Sequence, residues 1–134
     1  MGLFKKALSK PNEALQLYKQ GKEALQRNDL TKAIPSLEKA IELQAEIGEK
    51  EGEFACRYEL GQAYIQTENF SRSIMHFQKA LALADEVGQE KAKISINFML
   101  GRASRFSGHS DKAIPYLEEA ARLCRDSGEN DELA

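Results

Sequence analysis

At 134 residues the chain is long enough for one domain with a modest core, and its 42% hydrophobic and 30% charged residues exclude a disordered polymer. A formal net charge of −2 exerts no global pull on nucleic acid, and no apolar run approaches the roughly 20 residues that span a bilayer. Cys56 and Cys124 have neither CxxC spacing nor a His nearby in sequence, which argues against a metal site and fits a reducing, cytoplasmic setting.

In chain order, the start offers Leu3, Phe4, Ala7 and Leu8 as its apolar residues, broken by Lys5 and Lys6. That is too short for the apolar region of a signal peptide. Gly2 lacks the Ser or Thr that myristoylation wants, because the sixth residue is Lys6. Pro11 and Asn12 then divide a stub, residues 1–11, from a single domain, residues 12–134.

Within that domain Gly21, Gly61 and Gly101 recur at an interval of 40, as do Gly48, Gly88 and Gly128. The same interval relates Ala40, Ala80 and Ala120, then Ile34, Ile74 and Ile114, then Leu43, Leu83 and Leu123, and sets Phe77 between Leu37 and Leu117. Three copies of one supersecondary unit are therefore expected, at residues 12–48, 51–88 and 91–128.

Each copy reads as two helices. In the second copy, Glu51 to Thr67 carries Phe54, Tyr58, Leu60, Gly61, Tyr64 and Ile65 at steps of three and four. Glu68 and Asn69 break the pattern, and Asn69 is suited to cap the next helix. Phe70 to Val87 follows with Ile74, Phe77, Leu81, Ala84 and Val87, and Gly88 suits a left-handed helix end. Asn28-Asp29 and His109-Ser110 mark the corresponding inner turns, and six helices of about 15 to 18 residues result. Pro35 and Pro115 lie inside second helices, where each removes a backbone bond and bends the start. A Gly in mid-helix costs about 1 kcal/mol relative to Ala. Three at one position imply close backbone approach of the partner helix through Ala33, Ser73 and Ala113.

These residues resemble the tetratricopeptide repeat. Leu60-Gly61-x-x-Tyr64, Phe77 and Ala80 match its motif in the second copy, with Ser73 at the first Ala position. Gly21, Ala33, Leu37 and Ala40 match in the first, and Leu100-Gly101, Ala113, Leu117 and Ala120 in the third. The period of 40 exceeds the usual 34 or so, Gly replaces the closing Pro, and Leu17, Arg57 and Asn97 stand where an early aromatic is usual. The longer repeat looks like the subclass found in cell-polarity scaffolds, kinesin light chains and bacterial transcriptional regulators. The resemblance implies an all-α, right-handed superhelical solenoid of three helix-turn-helix repeats. It also implies a concave wall of first helices where a peptide or helix of a partner binds.

On that alignment the wall carries Tyr18, Tyr58 and Phe98, then Lys22, Gln62 and Arg102, then Leu25, Ile65 and Arg105 with Gln26, Gln66 and Phe106 beside them. Aromatics offer contact area at low entropy cost, and Arg and Lys orient acidic groups. The aromatic ladder has two readings, packing between neighbouring first helices or a binding surface. The chaperone carboxylate clamp of some relatives is not expected, because Tyr18 and Lys22 stand where Lys and Asn would be needed.

No phosphate loop, HExxH or GxSxG occurs, His109 falls at a turn, and His76 reads as a surface or half-buried residue. The expectation is a non-enzymatic scaffold for protein–protein interaction, without cofactor or metal and not associated with a membrane. Self-assembly through uncapped solenoid ends is the alternative, since Leu117, Ala121, Leu123 and Cys124 lie on the last helix and a further first helix would be starting at Glu132-Leu133-Ala134. The Leu3, Phe4 and Leu8 stub is a second candidate surface for it. A nucleic-acid-associated regulator is a minor alternative, because acids surround Lys22, Arg102 and Arg105 in equal number.

Overall fold

The computed structural model describes residues 2–128, with side chains from residue 9 onward. Leu3, Phe4 and Leu8 as side chains, and Glu132-Leu133-Ala134 altogether, lie outside the described residues. Six helices and no strand occupy the described residues: α1 Gly2–Gln26, α2 Leu30–Ile47, α3 Lys50–Gln66, α4 Phe70–Glu86, α5 Glu90–Phe106 and α6 Ser110–Asp126. Each pairs most extensively within its own copy, α1 with α2, α3 with α4 and α5 with α6, and the pairs stack through α2 on α3 and α4 on α5. The result is a helical solenoid.

The turns explain the spacing. Gly48 adopts φ 72°, its N–H reaches Ala45 O at 3.3 Å, and the Glu49 N–H reaches Gln44 O at 2.9 Å. These are the two bonds of a Schellman end, which needs a left-handed residue and so suits Gly. A second left-handed column lies at the inner turns, Asn28, Glu68 and Gly108, with φ of 58°, 61° and 87°. The third inner turn therefore centres on Gly108, one residue before the expected His109-Ser110 pair, and His109 is the residue that precedes α6. Asn69 caps α4 as expected, its Oδ1 accepting from the Arg72 N–H at 3.4 Å.

α1 departs from expectation by running 25 residues, straight through Pro11. A proline forfeits one ladder bond. Here the helix on its N-terminal side is tied to α2, where Lys10 Nζ meets Glu46 Oε2 at 2.8 Å. No helix end marks the 1–11 division. Lys50 repeats that tie with Glu86 at 2.6 Å, whereas the third copy holds Glu90 and Asp126 in the same columns, which turn instead to Lys93 and Arg122.

The core lies between helix pairs. Leu37, Ala40, Ile41, Cys56, Leu60 and Tyr64 form one cluster, and Phe54, Phe77, Ala80, Ala84, Ile96 and Leu100 the next. Each fully buried Leu, Ile or Phe contributes on the order of 1.5–3 kcal/mol. The mid-helix glycines do approach the expected partners, a Cβ on Gly21 or Gly101 lying 3.4 or 3.5 Å from Ala33 O or Ala113 O, but their nearest neighbours are larger side chains. A Cβ on Gly61 would lie 2.7 Å from the Phe77 ring, and one on Gly21 or Gly101 would lie 2.6 Å from Leu37 or Leu117. The helices approach closely, as the 2.8 Å bond from Ser73 Oγ to Gly61 O shows. The void left by the missing Cβ, however, is filled by the large side chain of the facing helix.

The two ends differ. Where α3 and α5 bury Cys56 and Leu60, Ile96 and Leu100, α1 exposes Gln16 and Gln20, flanked by the exposed Glu13 and Glu23. At the other end Phe98 and Leu117 remain 50% and 36% exposed and border a cavity of about 540 Å³ with Ile94, Ala120, Ala121 and Cys124. Leu123 and Cys124 are half-buried.

Candidate functional site

The expected wall residues fall into three local arrangements. On α1 the Lys22 ammonium stands 5.8 Å from the centre of the half-buried Tyr18 ring. Burial raises the Tyr18 hydroxyl above its ordinary pKa, with Lys22 opposing. Glu59 of α3 is also raised, again by burial first and against the pull of Lys22. Lys22 thus connects the two first helices electrostatically.

Tyr58, on α3, is held in the packing. Its ring meets Phe77 edge-on at 5.9 Å and lies 6.4 Å from Phe54. Its hydroxyl shares a 2.8 Å hydrogen bond with Ser95 Oγ of α5. The packing reading therefore describes Tyr58 well. Gln62, one turn on, is half-buried.

The third copy is different. Phe98 and Phe106 of α5 are 50% and 48% exposed. The Arg102 guanidinium lies 6.0 Å from the Phe98 ring centre and 5.7 Å from that of Phe106, and Arg105 lies 5.4 Å from Phe106. Phe106 stacks in turn on Phe70 of α4 at 5.7 Å. Phe98, Arg102 and Arg105 surround a small cleft of about 160 Å³ with Gly101 and Leu117. The helical spacing of four puts Phe98, Arg102 and Phe106 on one stripe. Two exposed rings held under two guanidiniums make an aromatic and cationic surface suited to acidic, partly apolar segments.

A polar network escaped the sequence reading. His76 is buried, 6% exposed, and not a surface residue. It stacks on Tyr64 at 5.5 Å with the planes 5° apart, and its Nδ1 is 3.3 Å from Arg57 Nη1. Arg only donates, so Nδ1 accepts and the ring proton sits on Nε2. Burial, then the Arg57 charge, lowers the His76 pKa to about 4. Arg57 is itself paired with Glu53 at 2.8 Å. The Tyr64 hydroxyl donates to Glu38 and lies 3.4 Å from Arg72 Nη1. The signal was present in the early-aromatic column, because Arg57 in an otherwise apolar position asks for a buried partner. Asn97, in the same column, is buried and donates to Lys93 O at 2.9 Å.

Among the described residues, no three His, Cys, Asp or Glu side chains are grouped so as to hold a metal ion. No helix among them is long and apolar enough to cross a membrane.

A family model for the tetratricopeptide repeat matches residues 23–86 and again 58–126. Among solved structures, the TPR domain of Arabidopsis FLU superposes with a TM-score of 0.77 at 20% identity, covering 85% of this chain and 97% of that one. Two crystal structures of MamA match at 20% and 21% identity, over 90% and 92% of this chain and 78% and 86% of theirs, with TM-scores of 0.46 and 0.47. No curated protein is similar enough to match.

Proposed function

This chain belongs to the tetratricopeptide repeat family, and from that premise we propose that it is a non-enzymatic scaffold binding a segment of a partner protein along its first helices. The observation that carries the reading is the third-copy surface, where Phe98 and Phe106 stay half-exposed beneath Arg102 and Arg105. Exposed large aromatics in a cluster mark interaction surfaces, and Arg beside them favours acidic or carbonyl groups. Tyr18 with Lys22 extends the surface to the first copy, and Tyr58 with Gln62 joins them as packed support. A partner peptide lays apolar side chains on Phe98 and sets acidic groups near Arg102 and Arg105. Two free thiols, Cys56 and Cys124, support a reducing, cytoplasmic compartment.

The test is capture of partners from the native lysate by wild type and by a Phe98→Ala, Arg102→Glu variant shown to fold by circular dichroism. Both residues are exposed, so the variant separates binding from folding, which Tyr58→Ala would not. Loss of an anchor of this kind costs about 2 kcal/mol or more of binding. Partners captured equally by both proteins would refute the surface. Self-association is a second reading, favoured by the apolar α5–α6 end with Phe98, Leu117 and Ala121 exposed. Light scattering that stays monomeric at high concentration would remove it.

A further inference from the structure

The two inter-repeat junctions differ at four corresponding positions, and the later junction holds a cavity. Tyr64 fills the junction of α2, α3 and α4, with its ring on His76, its hydroxyl donating to Glu38, and Arg72 at 3.4 Å. Adding the repeat interval of 40 maps Tyr64 to Ser104, His76 to Tyr116, Glu38 to Gln78 and Arg72 to Lys112. Those four residues, with Ser71 and Ile74, line a cavity of about 620 Å³ at the junction of α4, α5 and α6. Ser104, a small side chain where the second copy has a ring, is 2% exposed. The cavity shares no residue with the surface around Phe98.

The occupant can be read from the copy that is full. Tyr64 shows that this junction accepts a planar ring stacked on the residue of the His76 column, with a polar substituent at its far end. In the empty copy Tyr116 offers the stacking face and is fixed by the 2.9 Å bond from Gln78 Nε2 to its hydroxyl. The polar end has gone from balanced to positive. Glu38 and Arg72 balance each other, whereas Gln78 is neutral and Lys112 leaves one positive charge. A phenol suits the first pair, and an anion suits the second. The volume lies within the range of small-molecule sites, about 300–1,000 Å³.

The geometry points to a small-molecule site between α4, α5 and α6 for an aromatic acid, a planar ring stacked on Tyr116 with its anionic substituent toward Lys112. This inference is independent of the proposed scaffold role, since neither surface contributes to the other.

The full chain, titrated with 4-methylbenzoate and separately with p-cresol at millimolar concentration, tests it by amide shift mapping. The expected shifts centre on Ser71, Gln78, Ser104, Lys112 and Tyr116, with 4-methylbenzoate binding about fivefold more tightly, the scale of one exposed charge pair. Lys112→Gln is expected to erase that preference while p-cresol binding persists. Ser104→Tyr, which restores the ring of the second copy, is expected to abolish binding of both probes. Absence of shifts, shifts centred on Phe98, equal affinity for the two probes in wild type, or undiminished binding by a folded Ser104→Tyr would each overturn the proposal. If Ser104→Tyr does not fold, the wild-type map and Lys112→Gln decide.

Discussion

Gly61 and Gly101 occupy one column, yet the same substitution should act on them in opposite directions. An added methyl in mid-helix stabilises by about 1 kcal/mol, because Ala loses less backbone freedom on folding than Gly. At Gly61 that methyl meets three atoms of the Phe77 ring at 2.7 to 2.8 Å. Phe77 is fully buried, and Tyr58 holds its ring edge-on, so nothing near it yields cheaply. Overpacking of this kind costs about 1–3 kcal/mol. Gly61→Ala should therefore be neutral to about 2 kcal/mol less stable than wild type. At Gly101 the obstacle is Leu117, met at 2.6 Å, but Leu117 is 36% exposed and borders open clefts into which it can rotate. Gly101→Ala should keep most of the helical gain and be neutral to about 1 kcal/mol more stable. Urea melts followed by far-ultraviolet circular dichroism give both values on one scale. If Gly61→Ala proves the more stable of the two, the account of the glycine column is wrong.

His76 makes stability depend on pH. Its folded pKa, about 4, lies below the ordinary 6.5, so the unfolded chain binds the proton more readily. The contribution is complete above pH 6.5 or so and is lost as pH falls toward 4, on the order of 2 kcal/mol after allowing for partial solvent access. Melts of wild type and His76→Leu across that window should diverge in slope, and parallel curves would refute the assignment. Burial pushes the Cys56 thiol up to about 12, while Cys124 is only half-buried. Iodoacetamide at pH 8 should therefore label Cys124 in the folded chain and reach Cys56 only after denaturant is added, as read by mass spectrometry.

The helices and their pairing were legible because one interval fixes them. Small and large residues recur in register, and Gly48, Gly88 and Gly128 sit where a left-handed end is required. Pro11 misled, since a proline costs one ladder bond and does not end a helix whose neighbour holds it. The wall was legible in part. Spacing placed Phe98 with Arg102, but it could not tell that Tyr58 would turn edge-on to Phe77 while Phe98, in the same column, faced open space. That difference comes from what stacks next: α5 covers Tyr58, and no described helix covers Phe98. His76 was misread for a related reason. Its burial depends on Tyr64 and Arg57 from another helix, and a helical period within α4 carries no trace of either.

The exposed Gln16, Gln20, Glu13 and Glu23 on α1 have a consequence for how copies of this protein can meet. A head-to-tail contact would set α1 of one molecule on the α6 end of the next, desolvating two amides and two carboxylates against Leu117 and Ala121. The polar face of α1 therefore disfavours that head-to-tail contact. Two α6 ends brought together would form a two-fold contact that uses both of these apolar surfaces at once. On the self-association reading proposed above, a contact through this face would pair two copies rather than chain many.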